Sequence, residues 1–501
     1  MKRRRFLAAT GLTGLAGLAV PVIAGCGSAR SGVSAPQGPL HVPPLLSPPP
    51  GADGVRRFRL DLAPGQTEFL PGTKASTWGV NGSYLGPTLR ASRGDRVAMQ
   101  VVNGLPEETT LHWHGMRLPA EMDGGPHQTI APGTAWTPEW TIDQPAFTGW
   151  YHPHPHGRTA LHIYRGVAGL FLVDDAEETG LPGGYGVDDI PLIIQDRAFT
   201  ADGSLDESGL TRGRYGFTGT EILVNGTHRP LLHVEAARVR FRLLNASHAR
   251  VYRVGFADGR RFHLVATDSG LLPAPIALDR VKLSPGERAE VVVDFAPGER
   301  VTLNSVGERS EDAAPIEKDD LDLLTITAAE RLAPAPPLPS RLPGAPPVVP
   351  PSGARVRTFT LGGDEINGRG MDMGRIDEVV PAGATEIWEV RNTTFAHNFH
   401  VHATVFTVLD VDGRPPAAQD TGPKDTVFVP GNTTVRIAVA FSEYTDPVRP
   451  YMYHCHILRH EDQGMMGQFV VVQPGTEDQA PRRVPGTTTD RRGLTAHRHG
   501  H

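Results

Sequence analysis

Cysteine is almost missing from this chain. Its 501 residues include two, Cys26 and Cys455, which excludes a disulfide-built scaffold. An excess of charge of one sign is also missing. The formal net charge of −6 is mildly acidic and gives no reason to expect nucleic acid as a partner. No long stretch carries a helical apolar period, which disfavours helical bundles and α/β folds. Glycine (57) and proline (46), by contrast, are plentiful. Many stand at turn-like positions, as in a globular protein of many short strands. The length allows two to four domains.

The longest apolar stretch lies at the N-terminus, in "MKRRRFLAATGLTGLAGLAVPVIAGC". Its apolar middle is short and broken by Gly11, Gly14 and Gly17, which argues against a membrane-spanning anchor. Residues 1–25 read as an export signal. Arg3-Arg4 before Phe6-Leu7 resembles a twin-arginine address. "IAGC" resembles a lipoprotein cleavage site, which would place a lipid on Cys26; ordinary cleavage nearby is the alternative. The expected location is extracytoplasmic, periplasm or cell surface, with membrane contact only through that lipid. With Cys26 lipidated or removed, Cys455 has no disulfide partner in the chain. Residues 26–54, rich in Pro, Gly and Ser, read as an extended spacer.

The rest of the chain repeats. "WGVNGSYLGPTLRASRGDRVAMQVVN" ends at Asn103 and "ILVNGTHRPLLHVEAARVRFRLLN" at Asn245. A looser copy runs from Asn367-Gly368 to Asn392. Each is followed by a Pro-Gly turn, at Pro132, Pro285 and Pro430, and then a strand-like run. A period of roughly 145 residues is too long for a solenoid and suits successive domains. Segments such as "RVRFRLLN" and "TVRIAVAF" alternate as half-buried strands do. The expectation is three all-β sandwich or barrel domains, at 55–178, 186–331 and 354–475. A proline-rich linker would occupy 332–353 and a disordered tail, ending "AHRHGH", would occupy 476–501.

Four histidine clusters stand out: "HWHG" (His112, His114), "WYHPHPHG" (His152, His154, His156), "HNFHVH" (His397, His400, His402) and "HCHILRH" (His454, His456, His460 around Cys455). They hold eleven of the 21 histidines. On a strand, residues i and i+2 share a face, so each H-x-H presents paired imidazoles. A single pair would be unremarkable; four point to metal. A thiolate, two imidazoles and a weak thioether form the donor set of electron-transfer copper. Cys455, His460, Met465 and the odd histidine His397 supply it. If 454–456 is extended, Cys455 faces one way and His454 and His456 the other. The segment would then join two metal sites. The eight remaining imidazoles, His112, His114, His152, His154, His400, His402, His454 and His456, are too many for one ion and suit three. They come from the first and third repeats, leaving the middle repeat as a spacer.

These motifs resemble those of three-domain bacterial multicopper oxidases, the laccase and cuprous-oxidase group, over roughly residues 55–475. The resemblance implies cupredoxin-like Greek-key β-sandwich domains and four copper ions. It implies type 1 copper on His397, Cys455, His460 and Met465, and type 2 copper on His112 and His400. The type 3 pair would sit on His114, His152, His154, His402, His454 and His456. A competing register, His154 with His156, departs from the family pattern. Asn398 stands where the family commonly has proline, and little consequence is expected. Asp123 and Glu461 match carboxylates that carry protons to the oxygen site; otherwise they are a turn residue and a solvated acid. Dioxygen and a phenol, an aromatic amine or Cu(I) are the implied substrates. "DGRPPAAQDTGPKDTV" resembles the copper-resistance members, but only Met371 and Met373 stand where those carry a methionine-rich insertion. That predicts an open type 1 site suited to bulky phenols. A cuprous oxidase, a non-catalytic copper-binding protein and a copper-free division-type relative are the alternatives; the last needs missing ligands, and none is missing. The oligomeric state is not legible.

Overall fold

Strand pairing in the protein recurs with the same pattern three times along the chain. The computed structural model describes residues 36–175 and 179–485; the expected export signal, Cys26 and the histidine-rich end lie outside them. In the first repeat Val55–Thr67 runs parallel to Arg96–Asn103, and Thr88–Ser92 runs parallel to Gly169–Asp174. In the second, Asp189–Arg197 pairs with Arg238–Asn245 and Pro230–Ala236 with Leu321–Ala333, again in parallel. In the third, Val356–Gly362 pairs with Thr385–Asn392 and Glu378–Pro381 with Met466–Val472. Parallel neighbours cannot be joined by hairpins, so the chain crosses between two sheets in each repeat. Among the described residues six sheets of five to seven strands result. Each pair encloses its own apolar core, around Trp113, Phe241 and Trp388 in turn. The described residues nevertheless form one compact unit.

The repeated asparagines explain the repeated sequence. Asn81, Asn225 and Asn367 all adopt φ near +50°, the left-handed turn that Asn-Gly tolerates. The asparagine at the end of each repeat is a buried clamp. Asn103 Nδ2 donates to the carbonyls of Glu107 and Ile130, and its Oδ1 accepts from Leu105 N. Asn245 does the same with Arg250, Leu283 and Ser247. Asn392 does so with Phe395, Val429 and Thr394. The distant carbonyl in each case precedes a proline turn. One amide thus satisfies backbone groups that the strand end would otherwise leave unpaired.

The proline-rich stretches are more ordered than spacers. Gly38–Pro39 and Leu45–Leu46 each add a short parallel strand to a sheet edge. Leu338 and Leu342, in the expected linker, pack with Val265 and Val292. The expected disordered tail is ordered as far as residue 485: Ile376 N bonds to Arg482 O and Val484 N to Gly374 O. Two short helices, Thr159–Arg165 and Leu458–Asp462, escaped the sequence reading because neither spans two full turns. No helix among the described residues is long and apolar enough to cross a membrane.

Replacing Asn245 by Ala should remove three hydrogen bonds and strand buried backbone groups. The expected cost is about 2–4 kcal/mol, read as a lower urea midpoint with an unchanged slope.

Candidate metal centre

Two sheets from opposite ends of the chain bring their histidine strands together. His112–His114 pairs with Phe147–His152 so that His112 opposes His152. Trp113 and Tyr151, of opposite parity, point into the first core. His397–Val401 pairs with Asp446–His454, placing His400 opposite His454. The imidazoles meet in two buried triads, His114 with His152 and His456, and His154 with His402 and His454. Nitrogen faces nitrogen in both: 3.4 Å from His114 Nδ1 to His152 Nε2, and 3.2 Å from His454 Nε2 to the Nε2 atoms of His154 and His402. His112 and His400 complete the cage, each with a buried Nε2 that has no partner. His156 is exposed and belongs to neither triad.

A third set lies on the other face of the same strand end. Cys455 Sγ is 3.6 Å from His397 Nδ1 and 3.4 Å from His460 Nδ1, which are 3.1 Å apart. Three donors about 2.1 Å from a shared ion in a plane stand about 3.6 Å apart, so this triangle has the size of a trigonal metal site. Met465 is buried in the same cluster, with its carbonyl bonded to Cys455 N. Cys455 and its two neighbours thus face different sites, and His454 Nδ1 also donates to the Cys455 carbonyl at 3.1 Å.

Burial holds all ten imidazoles below their usual range, at about 3 for His112, about 2 for His397 and about 4 for His456 and His460. For His114, His152, His154, His400, His402 and His454 the same desolvation acts, with neighbouring imidazoles adding to it at each. Neutral imidazole is the ligand form. Burial pushes the Cys455 thiol up to about 12, so a thiolate there needs a cation. The donors and the orphaned nitrogens fit copper.

Both expected carboxylates are buried against the cage. Asp123 Oδ2 accepts from His402 Nδ1 at 2.8 Å, its carbonyl accepts from His112 Nδ1 at 2.9 Å, and its Oδ1 has no hydrogen-bond partner. Gly124 follows at φ +75°, where a Cβ would collide with the Leu111 carbonyl; only glycine lets this turn lie against the histidine strand. Glu461 places its oxygens 3.3 Å from His154 Nδ1 and 3.4 Å from His454 Nδ1. Burial raises both carboxyls well above their usual range.

Two expectations are corrected here. The cysteine site is closed: His397 and His460 are buried, and His460 Nε2 donates to the Arg214 carbonyl at 2.8 Å. Tyr215 packs on Phe395, which in turn packs on both histidines. The cover therefore comes from the turn around Arg214, which no motif in the chain predicts at this place. Asn398 is also consequential. Its Oδ1 accepts from His456 N at 2.6 Å and stands 3.5 Å from Cys455 Sγ, while its Nδ2 donates to the Pro285 carbonyl. The sequence reading also missed Asp425, Arg288 and Asp462. Asp462 accepts from Thr159 N and Ala160 N, tying the fourth histidine cluster to the helix after "HPHPH". Asp425 stands in the quoted "GPKDTV", but only the fold brings it to His114. The middle repeat supplies no ligand, yet it supplies Arg214 and Arg288.

Paired β-sheets of this topology carrying a cysteine–histidine centre beside a histidine cage define a copper protein of the cupredoxin class. Two family profiles, both described as multicopper oxidase, match residues 61–178 and 346–475. The chain is 35% identical over 427 residues to the multicopper oxidase mco of Staphylococcus haemolyticus, covering 84% of this chain and 89% of that protein. It is 36% identical over 482 residues to the cell division protein FtsP of Escherichia coli, covering 94% and 99%. A solved laccase-like multicopper oxidase, CueO from Ochrobactrum sp., described as active towards lignin model compounds and lignosulfonate, superposes with a TM-score of 0.79. It shares 39% identity and the match covers 87% of this chain and all of that one. The chain belongs to the multicopper oxidase family.

Asn398→Ala should leave the His456 amide unpaired in the interior. The expected cost is about 1–3 kcal/mol, measured by urea unfolding of the metal-free protein.

Proposed function

We propose that the protein is a working multicopper oxidase, coupling one-electron oxidation of a small aromatic reductant, a phenol or aromatic amine, to the four-electron reduction of dioxygen. The observation that supports this is a Cys455–His397–His460 triangle and a histidine cage, separately buried and joined through Cys455. His397, Cys455, His460 and Met465 would hold type 1 copper. His112 and His400 would hold type 2, and the two histidine triads the type 3 pair. When bound, the four coppers would supply a one-electron acceptor and a site at which O2, four electrons and four protons become two waters.

This chain's residues divide the remaining work. Each donor gives up one electron, and a phenol gives its proton to solvent, leaving a phenoxyl radical. Arg214 and Tyr215 keep the donor from touching His460, so the electron crosses one peptide group before reaching the imidazole. From Cys455 it has a covalent path to His454 and His456 and a shortcut through the His454–Cys455 carbonyl bond. Asp123 Oδ1 and the Glu461 carboxyl would hold protons beside the cage and supply those the reaction consumes. Burial of the cage fixes the imidazoles in place. Export to the cell surface or periplasm is the proposed location, supported by the N-terminal sequence.

The closed cover favours a second reading, in which Cu(I) is the reductant, because a small ion needs no contact between a bulky ring and His460. Oxygen uptake by the copper-loaded protein separates the two: a methoxyphenol should sustain it, and a faster rate with Cu(I) would replace the first reading by the second. Cys455→Ser should stay folded, lose its visible absorption and lose turnover by at least about 1,000-fold, the scale of an essential electron carrier. Turnover retained in that variant would refute the oxidase. Replacing Tyr215 by Gly should raise kcat/KM for bulky phenols about tenfold, worth 1.4 kcal/mol of barrier, with the visible band unchanged.

A further inference from the structure

Arg288 is fully buried and uses every donor it has. Nε donates to the Thr148 carbonyl at 3.0 Å. Nη1 donates to the Gly286 carbonyl and to Asp425 Oδ1, at 3.1 and 2.7 Å. Nη2 donates to the Asp268 carbonyl and to Asp425 Oδ2, at 2.8 and 2.6 Å. A guanidinium has five N–H groups, and these five reach the first, second and third repeats together. The carboxylate is gripped at both oxygens, which fixes its plane as well as its place. Gly115, directly after His114, leaves the room: a Cβ there would lie 2.8 Å from Nη2 and 3.1 Å from Asp425 Oδ2.

Asp425 Oδ1 then accepts from His114 Nε2 at 3.1 Å. This reverses His114 relative to its neighbours. His112, His152, His400, His402 and His454 each tie Nδ1 to an oxygen, leaving Nε2 for the cage. In His114 Nε2 is tied outward and Nδ1 faces His152. An acceptor on one ring nitrogen decides which nitrogen keeps its lone pair for a metal.

We infer that the Arg288–Asp425 pair is a positioning device: an arginine of the middle repeat locks the carboxylate that fixes His114 as an Nδ1 ligand of the oxygen-reducing centre. This rests on the copper assignment above. The middle repeat, which holds no ligand, thereby controls the affinity of a site built by the other two.

The test uses the full-length protein stripped of metal, reloaded with copper and titrated with a chelator, with copper counted by mass. The paired variant Arg288→Met with Asp425→Leu removes both charges at similar volume, a change that buried ion pairs often tolerate. Its Cys455 visible band should match the parent, while its melting temperature should fall, because the Thr148, Gly286 and Asp268 carbonyls lose their donor. Copper in the histidine cage should be held 10–100-fold more weakly, the usual effect of removing a ligand's supporting hydrogen bond. Parent-like affinity in the cage would overturn the inference. Should the pair fail to fold, Asp425→Asn carries the same test, since it keeps an acceptor oxygen but loses the charged grip. Nitrogen-15 spectra of the metal-free protein give an independent readout: His114 should carry its proton on Nε2 in the parent and lose that preference in the paired variant. An unchanged tautomer would also overturn it. A parent protein that takes no copper into the cage would refute the assignment itself, a result distinct from a loaded parent with an indifferent variant.

Discussion

Ten imidazoles and one thiol are buried in the interior, with imidazole nitrogens facing one another. That arrangement is unfavourable by itself, since like groups converge and several buried nitrogens have no partner. It persists because the other ring nitrogen of most of these side chains is tied outward. Backbone carbonyls hold His112, His152, His400, His454 and His460. Carboxylates face His114, His402 and His154. The protein is organised around supplying those outer acceptors from rigid strands, so that inward lone pairs are ready for metal before any arrives.

The two faces of one strand end perform the separation that the chemistry requires. Residue alternation at His454, Cys455 and His456 sends the thiol into the third core and both imidazoles into the cage. The sites are therefore adjacent through bonds yet chemically apart. One holds a single soft thiol under the Arg214 turn. The other is lined by imidazoles with the buried carboxyl groups of Asp123, Asp425 and Glu461 against them. The same alternation puts Trp113 and Tyr151 into the first core, so cage and core stabilise one another.

The middle repeat emerges as more than a spacer. Its turn at Ser284–Arg288 touches Asn398, packs Gly286 on the His456 ring and sends Arg288 to Asp425. Lys424, next to Asp425, is buried among Asp268 and Glu287 of that repeat. The third repeat thus docks through a charged network a few residues from the cage. Such networks are costly to break on one side, which keeps the two halves of the cage in register.

The sequence by itself determined the all-β character, the threefold repetition, the two kinds of donor set and the division of Cys455 from its neighbours. These follow from short-range rules: residue alternation, Asn-Gly and Pro-Gly turns, and histidines two apart on a strand. Asp123 and Glu461 were legible beside their motifs. Tertiary structure alone decided which histidines meet, because His154 and His454 are 300 residues apart. It also decided that Arg214 closes the cysteine site, that Asn398 braces it, and that Arg288 and Asp425 orient His114. A lone arginine, asparagine or aspartate has no periodicity and no fixed spacing to its partner. Its role arises only when distant strands are packed and each buried polar group must find an acceptor.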